Sequence, residues 1–574
     1  MLVYGDMERA ENAGEIAREV EDRLARCRQI PAGLQRHQAL IAAFIRASEL
    51  VQGAADAQFH QVGFDDASGR VDAGNALLLA LARSVAASWD SGFAALSYSP
   101  EQFSSHLALL SEAGTINSRQ AEGYAFYALY PESYIAAARR SGLGPDTLVI
   151  GIRSIGAGLG ALVAAGLGAQ AAMTVRPVGH PFNRQLALGT SLAQHLASHQ
   201  ADFAIVDEGP GLSGSSFNCV ADWLVAQGIS EQRIHFFPSH AGDLGNAARA
   251  DHRQRWQAAR RHFISFEQLL LHPDEPAHGL ERWISDIVGP LKGPLRDISG
   301  GAWRQELGAD LPADPAMERR KFLVTTKSEK WLGKFAGIGG KGEEKLELAR
   351  VIGEACFAPR PVGLCHGFLL YPWVEAEQKP GETVPPERLL DYLAFRASLP
   401  PTGPGASPKQ LFEMAIFNIG QRLGDASNAV QTALGDPQRL HPIPCCTDNR
   451  MHSWEWLKTD QTWLKLDATD HQTAHDLVGC QDITWDLAGA SVEMNMSETQ
   501  RNALTEALGK RLGRQIESDF VAAMVLCYLG FQIGLWTMAL GRNNQAEGDR
   551  IDKLLARYGQ HRALRSLGLT YDRS

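Results

Sequence analysis

The sequence predicts an α/β fold in which a helical N-terminal region leads into a parallel-sheet domain, and a two-lobed α+β domain follows. Three observations support this prediction. Two stretches near the N-terminus place apolar side chains three and four residues apart, which is typical of helices. Between residues 148 and 237, short apolar strands alternate with helices, as in a parallel sheet. From residue 321 onward, a strand pair and a helix precede a mainly helical remainder.

The composition is that of a globular protein with several domains. The chain has 574 residues, of which 45% are hydrophobic and 21% are charged, and this length favours about three domains. The formal net charge of −10, from 55 basic and 65 acidic residues, disfavours a nucleic-acid partner. The eight cysteines have no regular spacing, and the acidic N-terminus lacks a signal pattern. We therefore expect a cytoplasmic protein that acts on a small molecule, without a membrane; a homodimer is left open.

The chain divides into four predicted regions. Residues 1–95 form the helical N-terminal region, with helices over 10–28 and 34–51. Residues 96–290 form the parallel-sheet domain, with strands at 148–152, 172–175, 203–206 and 234–237. Residues 291–318 form a linker rich in proline and glycine. Residues 319–574 form the two-lobed domain, with strands at 321–326, 331–335 and 367–376 and a helix at 343–356.

One apolar stretch has the length of a membrane span. Residues 521–540 carry no charged side chain over twenty residues. Against a span stand Gln532, Thr537, two glycines and the lack of a second such stretch in the sequence. We expect a buried helix of a large helical lobe, and the membrane span remains the alternative.

Three loops at predicted strand ends carry residues suited to a phosphate and a ribose, since ligands of open parallel sheets bind beyond the carboxyl ends of the strands. The third loop, in IVDEGPGLSGSSF (205–217), places two acidic residues before glycines and serines that open a helix. Glycines let backbone N–H groups approach a phosphate, and the helix N-terminus is positive. The acidic pair can accept from ribose hydroxyls or hold Mg²⁺. The other two loops contribute Arg153, Ser154 and Gly156, and then Arg176 and Arg184.

This third loop resembles the PRPP-binding motif of type I phosphoribosyltransferases. The resemblance implies that Asp207 and Glu208 bind the ribose hydroxyls as catalytic residues, with Asp207 also near Mg²⁺. It implies that the pyrophosphate is bound by Arg153 to Gly156, and that residues 176–184 form a mobile loop over the site. The 5-phosphate would be bound by Gly211, Ser213, Gly214, Ser215 and Ser216. The loop departs from the family pattern by one extra residue, by Pro210, and by a glutamate as second acid.

Two other interpretations of this region stay open. The stretch IGAGLGA places Gly156, Gly158 and Ala161 after a strand, as in a dinucleotide-binding fingerprint. That fingerprint expects an acidic residue about twenty positions later, where this chain has Arg176. Alternatively, residues 207–216 form a turn without a ligand.

The C-terminal region contains a second set of candidate residues. Lys334 lies in a predicted strand, and Glu344 or Glu347 on the next helix could pair with it, the arrangement by which kinases hold ATP phosphates. The segments CCTDNRMHSWEWL, WLKLDATDH and DITWDLAGA then follow in the order seen in aminoglycoside-phosphotransferase-like atypical kinases, which they resemble. The resemblance implies that Lys334 and Glu344 bind the nucleotide, with Asp448 as catalytic aspartate and Asp467 as Mg²⁺ ligand. It makes Asp482 and Asp486 structural residues.

This second resemblance also has departures and alternatives. The glycine-rich turn follows Lys334, so the loop at 325–330 is expected to cover the nucleotide instead, and no asparagine lies five residues after Asp448. Lys334 could be an exposed strand lysine and Asp482 a helix cap. A zinc site is a further alternative, with candidate ligands His471, His475, Cys445, Cys446 and Cys480.

Together these patterns predict a two-module enzyme. The first module would be a PRPP-dependent phosphoribosyltransferase that requires Mg²⁺, and the second an ATP-dependent small-molecule kinase, with the acceptor unidentified. Leaving-group stabilisation by Mg²⁺ and arginines would carry the ribosyl transfer. The alternative is a regulatory protein that binds PRPP or nucleotide without turnover, because fold does not fix function.

Overall fold

A computed structural model describes residues 1–5, 8–211, 213–308, 310–375, 382–424, 426–541 and 543–569. The first region is mainly helical, as expected. Its elements are β1 (Glu8–Asn12), α1 (Ala13–Gln29), α2 (Leu34–Val62), α3 (Gly69–Asp90), α4 (Glu101–Ser111), β2 (Thr115–Arg119), α5 (Glu122–Phe126) and α6 (Pro131–Arg140).

The bounds of the first helices follow from local signals, with two differences from the sequence-based expectation. β1 pairs antiparallel with β2, so α1 begins at Ala13 and not at residue 10. The side chain of Asn12 accepts from the Glu15 N–H at 3.2 Å and caps the helix. α2 continues past residue 51 to Val62 and ends at Gly63, whose φ of 85° is a conformation that favours glycine.

The predicted parallel sheet is present. The elements of this region are β3 (Leu148–Ile152), α7 (Gly156–Leu167), β4 (Met173–Val175), β5 (Val178–His180), β6 (Asn183–Gln185), α8 (Thr190–Ser198), β7 (Phe203–Val206), α9 (Ser215–Ala226), β8 (Ile234–Phe237), α10 (Ala250–Ala258), β9 (Arg260–Arg261) and α11 (Leu280–Val288). The strand order is β4-β3-β7-β8-β9, and every neighbouring pair is parallel.

Helices cover both faces of this sheet. Along β7, Ala204 and Val206 belong to an apolar cluster with helices of the first region, whereas Phe203 and Ile205 belong to a cluster that includes α8 and α9. Every residue of β7 is therefore buried, which is why the strand has no polar positions. The covered faces leave the carboxyl ends of the strands as the open edge where side chains can meet a ligand.

The last region begins with a strand pair, as predicted. Its elements, with those of the connection before it, are β10 (Arg296–Asp297), α12 (Arg304–Leu307), β11 (Lys321–Thr325), β12 (Lys330–Phe335), α13 (Gly340–Glu354), β13 (Gly363–Cys365), β14 (Phe368–Pro372), α14 (Pro386–Ser398), α15 (Pro408–Leu423), α16 (Ser427–Leu434), β15 (Trp456–Lys458), β16 (Trp463–Lys465), α17 (Thr484–Glu493), α18 (Glu498–Leu512), α19 (Ser518–Leu540), α20 (Gln545–Gly559) and α21 (Arg562–Arg565).

An antiparallel sheet and a helical lobe form the two parts of this region. The sheet order is β10-β11-β12-β14-β13, and α13 packs on β13 and β14. The strand expected at 367–376 is β14, and residue 376 lies outside the described residues. The helical lobe is built around α19, which packs against α15, α17 and α20.

The predicted linker is packed against the protein. We name residues 298–318 the bridging segment, because it crosses from β10 to the helical lobe and returns to β11. Arg304 binds both carboxylate oxygens of Glu547 in α20, at 2.7 and 2.8 Å, and the Ala313 N–H donates to the same carboxylate at 2.6 Å. The buried Glu547 therefore anchors this segment to the helical lobe through Arg304 and Ala313.

The apolar stretch near the C-terminus lies inside the helical lobe. α19 is long and apolar enough to cross a membrane, but 83% of its most apolar stretch is buried by the rest of the protein. Gly530 approaches α15 so closely that a Cβ there would lie 2.7 Å from the Ala415 Cα. The helix is apolar all round because protein surrounds it.

The core does not divide at the predicted region boundaries. One apolar cluster joins residues of α1 to α3, one face of the parallel sheet, and Phe322, Phe335 and Phe368 of the antiparallel sheet. At this junction, Glu132 Oε1 accepts from His37 Nε2 at 2.7 Å and from His366 Nε2 at 2.9 Å, with all three side chains buried. The three predicted regions are thus joined by a shared core and by a hydrogen-bonded triad.

Candidate functional site

The first candidate site is a cavity of about 800 Å³ at the carboxyl ends of β3, β4, β7 and β8. α5 and residues 127–130 cover it on the side of the first region. The sequence-predicted residues in its wall are Arg153, Ser154, Arg176, Arg184, Asp207, Glu208, Gly211 and Ser216. The structure therefore brings the three predicted loops together at one edge of the sheet.

The acidic pair in this wall lies near Arg176 and Arg184, whose charges oppose the effect of burial on the pKa of Asp207. Neither Asp207 nor Glu208 forms an ion pair with a basic residue of the described chain. Asp207 Oδ1 accepts from the Glu208 N–H at 2.8 Å, and Glu208 Oε2 accepts from the Gly123 N–H at 3.1 Å. Burial raises the pKa of Asp207 to about 7. Burial, with Glu122 and Asp207 nearby, raises the pKa of Glu208 to about 8. Two carboxyls in this state favour a ligand that brings positive charge or hydroxyl donors.

The arginine expected on pyrophosphate faces the interior instead. The Arg153 guanidinium donates to Asp56 at 2.8 Å and also pairs with Asp65, and its side chain is 1% exposed. Arg176 donates to Asp56 at 2.8 Å as well. Carboxylates of the first region therefore hold the Arg153 guanidinium, although the residue also lies in the cavity wall, so its contact with a ligand stays a prediction. Arg184 donates to the Pro177 carbonyl at 3.2 Å and has no carboxylate partner among the described residues.

Two hydroxyls of the serine-rich loop bind the neighbouring β5–β6 hairpin. Ser213 and Ser215 both donate to the Pro181 carbonyl, at 3.3 and 2.5 Å, between β5 and β6. Gly214, with φ of 61°, precedes α9, and Gly156 begins α7 behind the wall. The hydroxyls of Ser213 and Ser215 therefore fix the hairpin, while Gly211 and Ser216 remain in the wall.

The glycines of IGAGLGA serve packing. A Cβ on Gly158 would lie 2.6 Å from Ser48 Oγ of α2, and one on Gly160 would lie 3.2 Å from the Gly151 Cα of β3. These close approaches explain why small residues occur at these positions, and no bound dinucleotide is needed to account for them.

The second candidate site is a cavity of about 270 Å³ between the antiparallel sheet and the helical lobe. The bridging segment forms part of its wall through Trp303, Ala313 and Met317. Lys334 and Asp467 both line this cavity, although they are far apart in the chain. The cavity is therefore a cleft between two lobes that a third segment partly covers.

Lys334 contacts two carboxylates of the loop after β16. Its ammonium pairs with Asp467 and with Asp470. Burial alone would lower the pKa of Lys334, but these carboxylates outweigh burial and raise that pKa above its usual value. In turn, Lys334 lowers the pKa of Asp467 against the effect of burial. Lys334 is not an exposed strand lysine, since its side chain is 9% exposed.

The expected pairing of Lys334 with Glu344 is not formed. Glu344 lies on the solvent side of α13, 61% exposed, and pairs with Lys341 at 2.8 Å. The α13 residue that faces the loop is Lys345, which donates to Asp470 at 2.8 Å. The helix turns its carboxylates to water and a lysine inward, because one residue's difference along a helix rotates the side chain by about 100°.

Asp448 lies behind the cleft wall. Its carboxylate is fully buried and contacts Lys465 at 3.3 Å, His471 at 3.3 Å and the Tyr392 hydroxyl. Burial would raise the pKa of Asp448, but Lys465 and His471 lower it below its usual range. Lys465 and His471 line the cleft, so these two side chains lie between Asp448 and the cavity.

The two aspartates of the DITWDLAGA segment act on structure. Asp486 accepts from the backbone N–H groups of Asp448 and Asn449, at 2.7 and 2.8 Å, and so fixes the turn that carries Asp448. Burial and the nearby Asp448 raise the pKa of Asp486 to about 7. Asp482 accepts from the Thr484 N–H at 2.9 Å at the start of α17 and pairs with Arg514.

Sequence reasoning missed Asp470, Lys345, Glu455 and Lys465 in this site. Glu455 binds Lys465 at 2.6 Å, and its side chain lines the cleft directly before β15. The available signals were the second acid in LDATD and the acid that precedes the strand WLK. A buried lysine on α13 had no such signal, since surface lysines are common on helices.

The candidate zinc ligands do not come together. His475 contacts Glu122 at 2.9 Å and the Tyr127 hydroxyl at 3.1 Å, whereas His471 contacts Asp448. Cys445 donates to the Gln481 carbonyl at 3.5 Å, and Cys480 contacts Thr402 at 3.5 Å. Cys446 accepts from the Arg396 guanidinium at 3.6 Å, so each candidate ligand has its own partner and the described cysteines and histidines form no zinc site.

The two cavities share a wall. Tyr127 lines the first cavity and contacts His475, four residues after His471 of the second. The neighbouring residues Arg319 and Arg320 line the second and the first cavity, respectively. Arg319 also donates to the Phe126 carbonyl at 2.7 Å. The walls of the two sites are therefore adjacent in the chain at Arg319 and Arg320.

Comparison with known proteins gives structural similarities only. No family model matches the chain, and no curated protein is similar to it in sequence. The chain is similar to choline kinase LicA from Streptococcus pneumoniae, with 12% identity, 50% of this chain and 97% of that one covered, and a TM-score of 0.33. It is similar to spectinomycin phosphotransferase APH(9)-Ia, with 12% identity, 50% and 97% covered, and a TM-score of 0.37. A choline/ethanolamine kinase family protein from Mesorhizobium loti shows 13% identity, 49% and 92% coverage, and a TM-score of 0.31. Because these identities and TM-scores are low, we infer the chemistry of the cleft from its own residues alone.

Proposed function

We propose that the chain is a phosphotransferase that binds Mg²⁺ and ATP in the cleft between the antiparallel sheet and the helical lobe. The observation that carries this proposal is the convergence of Lys334 and Asp467, from opposite lobes, on one cavity. A buried ammonium suits phosphate oxygens, and a carboxylate that is 31% exposed suits Mg²⁺, which prefers oxygen ligands.

The remaining groups suit a hydroxyl acceptor. His471 lines the cleft, and Asp448 behind it contacts the ring at 3.3 Å. An imidazole oriented by a buried carboxylate can accept the proton of an attacking hydroxyl. Asp448 is then a positioning residue for His471, and Asp486 holds its turn. The cleft volume of about 270 Å³ is below the ~300–1,000 Å³ of common ligand sites, so nucleotide and acceptor together require the lobes or the bridging segment to open.

The test is Mg²⁺-dependent formation of ADP from ATP, with a panel of small alcohols and amines as acceptors. Lys334→Met should abolish ADP formation, whereas Glu354→Gln, an exposed change on α13, should keep it. Failure of the wild-type protein to bind Mg·ATP below about 1 mM, the upper range of common KM values, would contradict the proposal.

A second function is favoured by the first cavity, where we propose that PRPP binds with Mg²⁺ for ribosyl transfer. Its support is the half-buried acidic pair Asp207 and Glu208, which forms no ion pair among the described residues and lines the same cavity as Arg184. Calorimetry with PRPP and Mg²⁺, together with pyrophosphate release in a screen of nucleophilic metabolites, tests this. Binding without pyrophosphate release would favour the regulatory alternative, and no binding would remove the ribose-phosphate site.

A further inference from the structure

No carboxylate of α13 faces Lys334. Glu343 pairs with Arg23 at 3.2 Å, Glu344 with Lys341 at 2.8 Å, and Glu347 with Arg350 at 3.8 Å. Glu354, the fourth glutamate of this helix, pairs with Arg360 at 2.9 Å, and all four side chains are more than half exposed. The helix beside the cleft therefore offers no anion to fix the direction of the Lys334 ammonium.

The anion comes from the loop after β16. Asp470 uses one carboxylate oxygen for Lys334 and the other for Lys345, whose Nζ lies at 2.8 Å. The side chains of Asp470 and Lys345 are 9% and 1% exposed, so water does not compete for these contacts. Asp470 thus lies between two buried lysines, one from β12 and one from α13.

Asp470 lies among several positively charged side chains. Arg319 acts on both Asp470 and Lys345, so three cations and the two carboxylates Asp467 and Asp470 occupy this part of the cleft. Burial and Arg319 lower the pKa of Lys345 to about 8, although Asp470 opposes that change. Without Asp470, the three cations would repel one another inside the protein.

We propose that Asp470 is the positioning residue for Lys334 and that Lys345 fixes Asp470 in that role. This inference rests on the proposed phosphotransferase function. When Asp467 binds Mg²⁺ with the nucleotide, Asp470 is the remaining carboxylate in contact with Lys334 among the described residues. It keeps the ammonium directed at the transferred phosphoryl group, where charge must be stabilised.

The test separates turnover from binding. The probes are Mg·ATP with water as acceptor for kcat, and Mg·ADP for affinity by calorimetry. Asp470→Asn should lower kcat at least tenfold, because Lys334 loses its direction. The affinity for Mg·ADP should stay within threefold, because the lost anion also leaves a more positive cleft for the phosphates.

Two further variants keep the inference falsifiable if Asp470→Asn folds poorly. Lys345→Met should lower kcat several-fold with the Mg·ADP affinity unchanged, since Asp470 keeps Lys334 but loses its second contact. Asp470→Asn combined with Lys345→Met should fold better than Asp470→Asn alone, because one of the repelling cations is gone, and kcat should stay low. Glu354→Gln on the same helix is the matched control.

The outcomes are distinguishable. An unchanged kcat in Asp470→Asn, or equal losses of kcat and Mg·ADP affinity in both single variants, overturns the positioning role while the phosphotransferase stands. A wild-type protein that neither binds nor hydrolyses Mg·ATP removes both.

Discussion

The Arg153 guanidinium is bonded to the Asp56 carboxylate at 2.8 Å, and both side chains lie inside the protein. This residue, which the loop pattern assigns to pyrophosphate, also links α2 to the parallel sheet. Beside the first cavity, the carboxylates of Asp56 and Asp65 already neutralise the Arg153 guanidinium.

Because Arg153 is held by carboxylates and Arg184 is not, we expect their substitution to have different effects: loss of stability for Arg153 and loss of ligand binding for Arg184. Arg153→Met leaves Asp65 buried without its cation and should lower the free energy of unfolding by about 3 kcal/mol. Arg184→Met, which breaks no ion pair of the described chain, should leave stability unchanged and weaken pyrophosphate binding about tenfold, the loss of one charge-assisted hydrogen bond. Denaturant titration and calorimetry with pyrophosphate check the two; a stable Arg153→Met variant would contradict the ion-pair assignment.

The acidic pair predicts a pH dependence. The pKa values of Asp207 and Glu208 are raised to about 7 and about 8 in the folded protein, so the folded state binds more protons than the unfolded state between about pH 4 and pH 8. These two groups therefore destabilise the ligand-free protein as pH rises through that window. Asp207→Asn with Glu208→Gln should be more stable than wild type at pH 8, and the difference should shrink as the pH falls toward 4.

The same double variant serves as its own binding test. It should bind PRPP with Mg²⁺ much more weakly than wild type at pH 8, because the hydroxyl-accepting and metal-binding oxygens are lost. Greater stability with unchanged PRPP affinity would show that the acidic pair does not belong to a ligand site.

The cleft predicts different failures for its two aspartates. Asp448→Asn should keep Mg·ADP binding and lower transfer about 100-fold, a common contribution of general base catalysis, because His471 loses its orienting carboxylate. Asp467→Asn should lose the Mg²⁺ dependence of nucleotide binding as well. Calorimetry with and without Mg²⁺, beside ADP formation, separates them; equal loss of binding in both variants would mean that Asp448 only supports the fold.

The interior position of α19 predicts sensitivity to size. Gly530→Val should lower the free energy of unfolding by about 1–3 kcal/mol through overpacking, since a Cβ there already meets Ala415 at 2.7 Å. Thr537→Val in the same helix is the control, because its buried hydroxyl has no hydrogen-bond partner in the described structure. If Gly530→Val were neutral and the protein required detergent, α19 would face lipid.

The parallel sheet and the position of the first cavity could be predicted from the sequence, because short stretches of neighbouring residues indicate them. The alternation of apolar strands and helices predicted the parallel sheet, and the two acids at the end of β7 predicted the edge where the first cavity lies. Contacts between distant residues gave no local signal. Asp56 and Asp65 lie far before Arg153 in the chain, and Lys345 meets Asp470 across two lobes, so neither partner could be found from the spacing around each motif.

The continuity of the core has a consequence for how such a chain can change over time. Phe322, Phe335 and Phe368 share one apolar cluster with α1 to α3, and Glu132 joins His37 to His366 across the same boundary. A gene fusion that replaced either half would have to supply a complementary half of this core and of the triad. The halves that carry the two candidate sites are therefore expected to fold together.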